Sequence, residues 1–255
     1  MYWKKEIHTS FKSNQKDIDT IIYHFDTVGI NYGNQNRNAF KLVDFNHEKM
    51  NIKSFKKPHL LNRFIYKYLR LSKAERSFIY AHKLLSLGIK TPQPIAFYIE
   101  QNLFGINRSY YLSKHFDYDF TFRELTQEQK LPNHHQIIKE FVKFTYDLHE
   151  KGIEFLDHSP GNTLIKKNAS NTYDFYLVDL NRMNFTTLDF HQRMKNLCRL
   201  TDIPELIHEI AVHYSKLSQI PEKQIEDTIN KYVRHFQNQI KTKRKLKKKL
   251  KFWKK

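Results

Sequence analysis

Alternating apolar and polar positions mark strand-like runs near the start of the chain. Three runs between residues 20 and 55, TIIYHF, NAFKLVDF and KMNIKSF, are rich in β-branched and aromatic residues, the composition typical of strands. Residues 1–18 are polar and predict no element. The stretch 29–38 carries Gly29 and Gly33 among several asparagines, which predicts either a turn whose backbone N–H groups can meet phosphate or an ordinary polar hairpin loop. A sheet is therefore predicted in this part of the chain.

Helical periodicity replaces this alternation after Ser72. Ser72 is an N-cap candidate and Glu75 follows three residues later, the pattern of a capping box. Apolar residues then recur at helical spacing until Gly88, which is placed to end the helix. Two strands around a turn at 102–107 come next. A further helix is predicted at 136–150, where the apolar residues share one face.

The stretch from Asp157 to Asp179 holds the candidate chemistry. Two apolar runs, 162–165 and 175–178, have strand character, and the polar insert between them predicts a hairpin turn. Asp157 then precedes the first strand, Asn162 opens it and Asp179 closes the second. Carboxylate and amide oxygens are ligands that Mg²⁺ takes, and a carboxylate can accept a proton from an attacking hydroxyl. This arrangement predicts phosphoryl transfer.

Composition indicates the binding partners and the cellular compartment in which this chemistry is expected. A formal net charge of +18 favours anionic partners such as nucleotides, nucleic acid or an acidic membrane surface. Cys198 is the only cysteine, so no disulfide forms within the chain and a reducing compartment is expected. No apolar run approaches the length of a membrane span or of a signal-peptide core. We therefore expect a cytoplasmic protein. The scattered histidines lack zinc-ligand spacing, so no structural zinc is expected.

The sequence LHEKGIEFLDHSPGNTLI at 148–165 resembles the catalytic loop of the protein-kinase-like superfamily, in which Leu-His precedes Asp-x-x-x-x-Asn. Asp157 and Asn162 have that offset, and Asp179 matches the Asp of the Mg²⁺-binding segment. DHSPGN is closer to the form seen in small-molecule kinases of this fold. With the N-terminal half included, the chain most resembles the bacterial lipopolysaccharide core kinases, which phosphorylate Kdo or heptose.

The loop departs from the protein-kinase form in three places. Phe-Leu at 155–156 stands where His-Arg is usual, Ser159 stands where protein kinases carry Lys, and Leu-Asn at 180–181 replaces Phe-Gly. Ser159 favours a small or glycan hydroxyl as the acceptor. The other two departures keep a catalytically inactive kinase-like protein open as an alternative.

The resemblance implies an α+β, protein-kinase-like fold of two lobes. An antiparallel sheet with one helix would form the N-lobe at 1–113, and a mainly helical C-lobe would cover 114–240, with ATP in the cleft between them. Residues 241–255 would form a basic amphipathic tail. In such a fold Asp157 is the catalytic base. Asn162 and Asp179 hold Mg²⁺.

The nucleotide contacts in such a fold come from the N-lobe. Lys53, on the third predicted strand, would contact the α- and β-phosphates of ATP, and Glu75 would orient it. Gly29 and Gly33 would lie over the nucleotide. Each residue also has a plainer interpretation, because most lysines are simply solvated and Glu75 can be a reciprocal helix cap.

We therefore predict an ATP- and Mg²⁺-dependent kinase for a sugar hydroxyl of the lipopolysaccharide inner core. Its acceptor would be Kdo-lipid A or core oligosaccharide, whose carboxylates and phosphates basic side chains bind well. Alternatives are a small-molecule kinase of aminoglycoside or choline type, a protein kinase, or a nucleic-acid-binding protein. No recognised RNA or DNA motif supports the last.

The tail at 241–255 holds ten basic residues and no acidic one. Leu246, Leu250 and Trp253 share a narrow helical face, which Phe236 and Ile240 approximately extend. A solvated basic tail is the plainer interpretation. The apolar stripe instead favours reversible docking on an anionic membrane, at the cytoplasmic face of the inner membrane. RNA binding is the competing interpretation of the same charge.

Overall fold

The computed structural model describes residues 2–33, 38–57, 70–103, 105–127 and 131–252. The chain forms two compact units. Met1–Asp117 and Leu177–Asn181 make the first unit; Tyr118–Tyr176 and Arg182–Lys255 make the second. The fold is of the α+β class, as predicted, with an antiparallel sheet in the first unit and mostly helices in the second.

A six-stranded sheet forms the first unit, in the order β1-β5-β6-β4-β3-β2, and every neighbouring pair is antiparallel. Its strands are β1 (Tyr2–Ile7), β2 (Ile30–Asn31), β3 (Asn38–Phe45), β4 (Glu48–Phe55), β5 (Pro94–Asn102) and β6 (Gly105–Lys114). Strands β3 and β4 confirm the predicted runs NAFKLVDF and KMNIKSF. Asn46 and His47 join them with positive φ angles of 52° and 62°, the backbone that a two-residue hairpin turn requires.

The first 25 residues form elements that the sequence pattern did not reveal. Residues 1–18 were uninformative; they form β1 at the edge of the sheet, a 3₁₀ helix (Thr9–Asn14) and the start of helix α1 (Gln15–Tyr23). The run TIIYHF belongs largely to α1 and is not a strand. Ile18 and Ile22 are fully buried, four residues apart, and this helical spacing outweighs the β-branched composition.

Helix α2 (Lys73–Ser86) confirms both predicted ends. The Ser72 side chain accepts a hydrogen bond from the backbone N–H of Glu75 at 3.1 Å. Gly88, at φ 73°, and Ile89 return their N–H groups to the carbonyls of the last turn, which is the Schellman arrangement. The helix buries Ala74 and Phe78 against Phe97, Ile99 and Ile106 of the sheet.

Helices dominate the second unit. They are α3 (Phe122–Gln127), α4 (His134–Glu150), α5 (Phe190–Leu197), α6 (Pro204–Ser218) and α7 (Glu222–Phe252). Its short strands are β7 (Phe120–Thr121), β8 (Ile153–Phe155), β9 (Thr163–Lys167), β10 (Tyr173–Leu177) and β11 (Met183–Phe185). Strands β9 and β10 form the predicted hairpin, and β8 pairs with β11. Among the described residues, no helix combines the length and apolarity needed to cross a bilayer.

Candidate active site

Lys53 is a buried cation of the first unit. Its side chain is 9% exposed, and Nζ lies 2.7 Å from Oδ1 of Asp179. The ammonium also lies 5.2 Å and 5.1 Å from the ring centres of Phe40 and Phe55, in range for cation–π attraction. Burying a lysine ammonium costs desolvation free energy even when the group is paired, and lysines are rarely buried without a role. The structure therefore excludes a merely solvated Lys53.

Asp179 is held by two partners on one carboxylate oxygen. Besides Lys53, the amide of Asn181 donates to Oδ1 at 2.5 Å. Asp179 adopts φ 58°, a left-handed backbone that Asp tolerates better than most residues. Within the described residues, Oδ2 has no partner. Asn181, which replaces the usual glycine, thus fixes the carboxylate and leaves its second oxygen for a cation.

Glu75 lies in the same unit and is 7% exposed. Its Oε1 accepts from Nζ of Lys4 at 2.5 Å, and Lys4 lies on edge strand β1. The carboxylate is therefore more than a helix cap. The expected orientation of Lys53 by Glu75 stays a prediction, and Lys4 is a partner that the sequence analysis did not identify.

The two glycines predicted to lie over nucleotide belong to the first unit as well. Gly29 and Gly33 both have φ 66°. A Cβ on Gly29 would lie 2.4 Å from the Leu42 carbonyl oxygen, so close packing against β3 alone requires glycine there. A Cβ on Gly33 would meet nothing within 4 Å. Their nucleotide role stays a prediction.

Asp157 follows β8 in the second unit and is bracketed by two arginines. Nη2 of Arg199 donates to Oδ1 at 2.7 Å, and Nη1 donates to the backbone carbonyl of Leu156 at 2.7 Å. Arg182 Nη1 lies 3.8 Å from Oδ2. The side chain of Asp157 is 20% exposed, so Oδ2 keeps room for another donor. Arg199 thus fixes both the backbone and the carboxylate at this point of the loop.

Asn162 lies at the end of a 3₁₀ turn (Pro160–Asn162) that leads into β9. Its Nδ2 donates to the backbone carbonyl of Asp157 at 2.8 Å. This bond orients the amide, and its Oδ1 has no partner within the described residues. Asn162 and Asp179 therefore each present one uncommitted oxygen, the hard ligand type that Mg²⁺ prefers.

A buried polar network lies under the loop. Asn196 donates from Nδ2 to the Phe155 carbonyl at 2.8 Å. Its Oδ1 lies 3.2 Å from His149 Nε2 and 3.2 Å from His158 Nδ1. His149 Nδ1 in turn lies 2.9 Å from the hydroxyl of Tyr214. One amide thereby ties α4, α5, α6 and the loop together.

The network assigns the protonation of both rings. Because Oδ1 of Asn196 can only accept, His149 carries its proton on Nε2 and His158 on Nδ1. The Tyr214 hydroxyl then donates to His149. Burial lowers the pKa of His149 to about 4 and that of His158 to about 3. Both rings are therefore neutral, and they support the loop from beneath rather than take part in chemistry.

The sequence pattern and the family resemblance pointed to Asp157, Asn162, Asp179 and Lys53, and the structure brings together two pairs of them. Lys53 meets Asp179 in the first unit, and Asn162 bonds to the backbone of Asp157 in the second. The partners that hold these groups were missed. They are Lys4, Asn181, Arg182, Asn196 and Arg199. Only Asn181 had a local signal, as a departure from the family motif.

Comparison with known proteins supports this assignment of the fold. The model of the lipopolysaccharide kinase (Kdo/WaaP) family matches residues 33–232. No curated protein is similar enough in sequence to match the chain. The structure of WaaP in complex with acyl carrier protein superimposes with a TM-score of 0.63 at 13% identity, over 94% of this chain and 98% of that one.

Two further structures are more distant. WbdD aligns with a TM-score of 0.48 at 12% identity, over 78% of this chain and 49% of its own. A Stt7 homolog from Micromonas algae, soaked with ATP, aligns with a TM-score of 0.43 at 10% identity, over 62% of this chain and 49% of its own.

Proposed function

The chain belongs to the lipopolysaccharide kinase (Kdo/WaaP) family, and from that premise we propose that it transfers the γ-phosphate of ATP to a sugar hydroxyl of the lipopolysaccharide inner core. Kdo on lipid A is the acceptor we favour, with heptose as the second candidate. The family makes the protein a kinase; the donor, the metal and the particular sugar are our proposal.

The main support is the buried ion pair of Lys53 with Asp179 at 2.7 Å. A kinase needs a cation for the nucleotide phosphates and a carboxylate for the metal that bridges them. In the proposed reaction Lys53 contacts the α- and β-phosphates. Asp179 would hold the metal through its second oxygen. Glu75, Gly29 and Gly33 complete the proposed nucleotide-binding residues.

Asp157 acts on the acceptor in this proposal. Its Oδ1 is occupied by Arg199, so Oδ2 accepts the proton as the sugar oxygen attacks the γ-phosphorus. The bond between that phosphorus and the β,γ-bridging oxygen breaks, and ADP leaves. The two arginines keep the carboxylate oriented toward the acceptor throughout.

The oxygen donors at Asn162 and Asp179 fit Mg²⁺. Each has one oxygen that is uncommitted within the described residues, and each is oriented by a hydrogen bond through its other polar atom. Bound there, the metal would supply charge neutralisation at the transferring phosphate. The protein's contribution is to hold both oxygens ready.

We also propose that the basic tail docks the enzyme on the cytoplasmic face of the inner membrane. Helix α7 reaches Phe252, and residues 241–247 are exposed. Leu246 is 55% exposed, in keeping with an open apolar stripe. Phe236 and Ile240 do not extend that stripe as predicted: Phe236 packs against the core beneath Arg199, and Ile240 lines a cavity.

The test is transfer of label from γ-labelled ATP to Kdo-lipid A by the full chain with Mg²⁺. We expect labelled lipid, with Asp157→Asn reducing turnover at least ~100-fold because the acceptor proton loses its base. ATP binding by the variant should stay within twofold of wild type. Asp227→Asn, which removes an exposed carboxylate from α7, is the matched control and should be unaffected.

Two outcomes would contradict the proposal. One is a wild-type chain that binds ATP and Mg²⁺ yet labels no lipopolysaccharide acceptor. The other is equal turnover by Asp157→Asn and wild type.

A further inference from the structure

A cavity of about 460 Å³ lies in the second unit between the catalytic loop and the C-terminal helix. Pro160 of the loop, the segment after α5 and the middle of α7 form its walls. Its volume is in the range of small-molecule sites and fits one or two sugar rings. Val233, Phe236 and Ile240 give it an apolar side, the kind of surface on which the C–H face of a sugar packs.

The polar side of the cavity is strongly cationic. Arg199, Lys241 and Arg244 line it, and Asp202 is the one carboxylate among the described lining residues. Asp202 accepts a hydrogen bond from Gln237 at 2.5 Å. Neither Lys241 nor Arg244 makes an ion pair within the described residues. Two cations without counterions beside an apolar wall favour a ligand that brings its own negative charge.

Arg199 joins this cavity to the catalytic carboxylate. Two of its five N–H donors hold Leu156 and Asp157. Its Nε is buried and has no acceptor among the described residues, an unmet donor of the kind that a bound anion or water satisfies. Arg199 is therefore one side chain that both lines the cavity and holds the Asp157 carboxylate.

We propose that this cavity is the acceptor site, and that it binds a sugar through a carboxylate or phosphate held by Arg199, Lys241 and Arg244. The inference rests on the proposed function and adds the place and the charge of the acceptor. It also separates two sets of basic residues on α7. Lys241 and Arg244 line the cavity and serve the acceptor, whereas Lys243 and Lys245 lie outside the cavity lining.

The test compares two double variants with the same loss of charge. Lys241→Gln with Arg244→Gln removes both cavity cations from α7. Lys243→Gln with Lys245→Gln removes two neighbours outside the cavity. Calorimetry of the full chain measures binding of free Kdo as the carboxylate probe, inorganic phosphate as the phosphate probe and mannose as the neutral probe. Thermal melting and circular dichroism check that each variant is folded.

We expect the cavity variant to bind Kdo or phosphate at least tenfold more weakly than wild type, with the control variant within twofold. Loss of Kdo binding assigns the site to a sugar carboxylate, and loss of phosphate binding alone assigns it to a sugar phosphate. In the transfer assay the acceptor KM should rise at least tenfold, with the KM for ATP unchanged.

Equal weakening in both double variants, or mannose binding as tight as that of either anion, would overturn the acceptor site. That result leaves the kinase assignment standing if wild type still labels lipid. Conversely, the wild-type chain could fail to label lipid while the cavity variant, and not the control, loses Kdo binding. That result would reject the proposed function and keep the anion site.

Discussion

Nζ of Lys53 lies 2.7 Å from Oδ1 of Asp179, although 126 residues separate them in the chain. Strand β4 supplies the lysine, and the turn after β10 supplies the aspartate. Leu177 anchors that turn to the first unit, because its N–H donates to the Lys90 carbonyl at 3.0 Å and its own carbonyl accepts from Thr91 at 2.7 Å. The turn that carries Asp179 is therefore held in the first unit through Leu177, two residues before the aspartate.

The first prediction concerns this pair. Lys53→Met should lower kcat/KM for ATP at least ~100-fold, because the nucleotide phosphates lose their cation. Asp179→Asn should remove the Mg²⁺-dependent part of ATP binding, measured as the Tm shift with and without the metal. Lys56→Met, at an exposed position three residues along, is the control. An Asp179→Asn variant that ATP stabilises as well as wild type, with the same Mg²⁺ dependence, would disprove the role of Asp179.

The second prediction separates two roles of Glu75. If Glu75 orients Lys53, Glu75→Gln should lower kcat/KM for ATP at least ~10-fold. Lys4→Met should change it less than twofold and cost under about 1 kcal/mol of unfolding free energy, since Lys4 is half exposed. The double variant completes the cycle. Equal, small effects in both single variants and in the double variant would show that Glu75 serves only Lys4.

The sequence predicts the features of this protein that neighbouring residues determine, and it does not reveal contacts between residues far apart in the chain. The loop from Asp157 to Asn162, the Ser72 cap and strands β3 and β4 are determined by neighbouring residues, and all were predicted. Arg199 lies 42 residues after Asp157, and only the packing of α5 against β8 brings it to the loop. Such a contact has no local pattern. Helix α1 was missed for a different reason, since β-branched residues hid its helical spacing.

The third prediction follows from the buried histidines. Their folded pKa values lie below the unfolded value near 6.5, at about 4 for His149 and about 3 for His158. The unfolded chain therefore binds more protons between these limits. The contribution of the two histidines to the free energy of unfolding has its full value above pH 6.5. It is lost as the pH falls toward 4. For His149 alone the loss is on the order of 3 kcal/mol.

Urea unfolding at pH 7.5, 6.0 and 5.0 checks this. The double variant His149→Gln, His158→Gln should show a shallower fall in the free energy of unfolding than wild type. His235→Gln, which removes an exposed histidine, should keep the wild-type slope. A double variant with the wild-type pH slope would show that other groups cause the acid sensitivity.

The fourth prediction tests Asn196 as a positioning residue. Asn196→Leu leaves the Phe155 carbonyl and both histidine N–H groups without partners, so it should cost about 3 kcal/mol or more of stability. It should also lower kcat more than it raises the KM for ATP, because the network supports the loop that bears Asp157. Asn238→Leu, the same substitution at an exposed position of α7 outside the cavity lining, serves as the control for amide loss. A stable Asn196→Leu enzyme with normal kcat would contradict the positioning role.

The last prediction concerns the membrane tail, and the cavity determines how it must be tested. Deleting residues 241–255 would remove the cavity residues Lys241 and Arg244 together with the apolar stripe. Replacing Leu246, Leu250 and Trp253 with serine keeps every charge and removes only the anchors. This variant should lose binding to vesicles of anionic lipid at least ~10-fold, because apolar burial and electrostatic attraction both contribute to such docking.

Its control is Lys243→Gln with Lys245→Gln, which keeps the anchors and removes two of the ten basic residues of the tail. Each lysine near an anionic leaflet contributes about 1 kcal/mol at best, so this control should weaken docking and make it less sensitive to salt. Turnover on a soluble acceptor should be normal in both variants, since Lys243, Lys245 and Leu246, the residues of the two sets whose side chains the structure describes, do not line the cavity. Serine variants that sediment with vesicles as well as wild type would show that charge alone holds the tail. Sedimentation with RNA but not with vesicles would instead support nucleic-acid binding and reject docking.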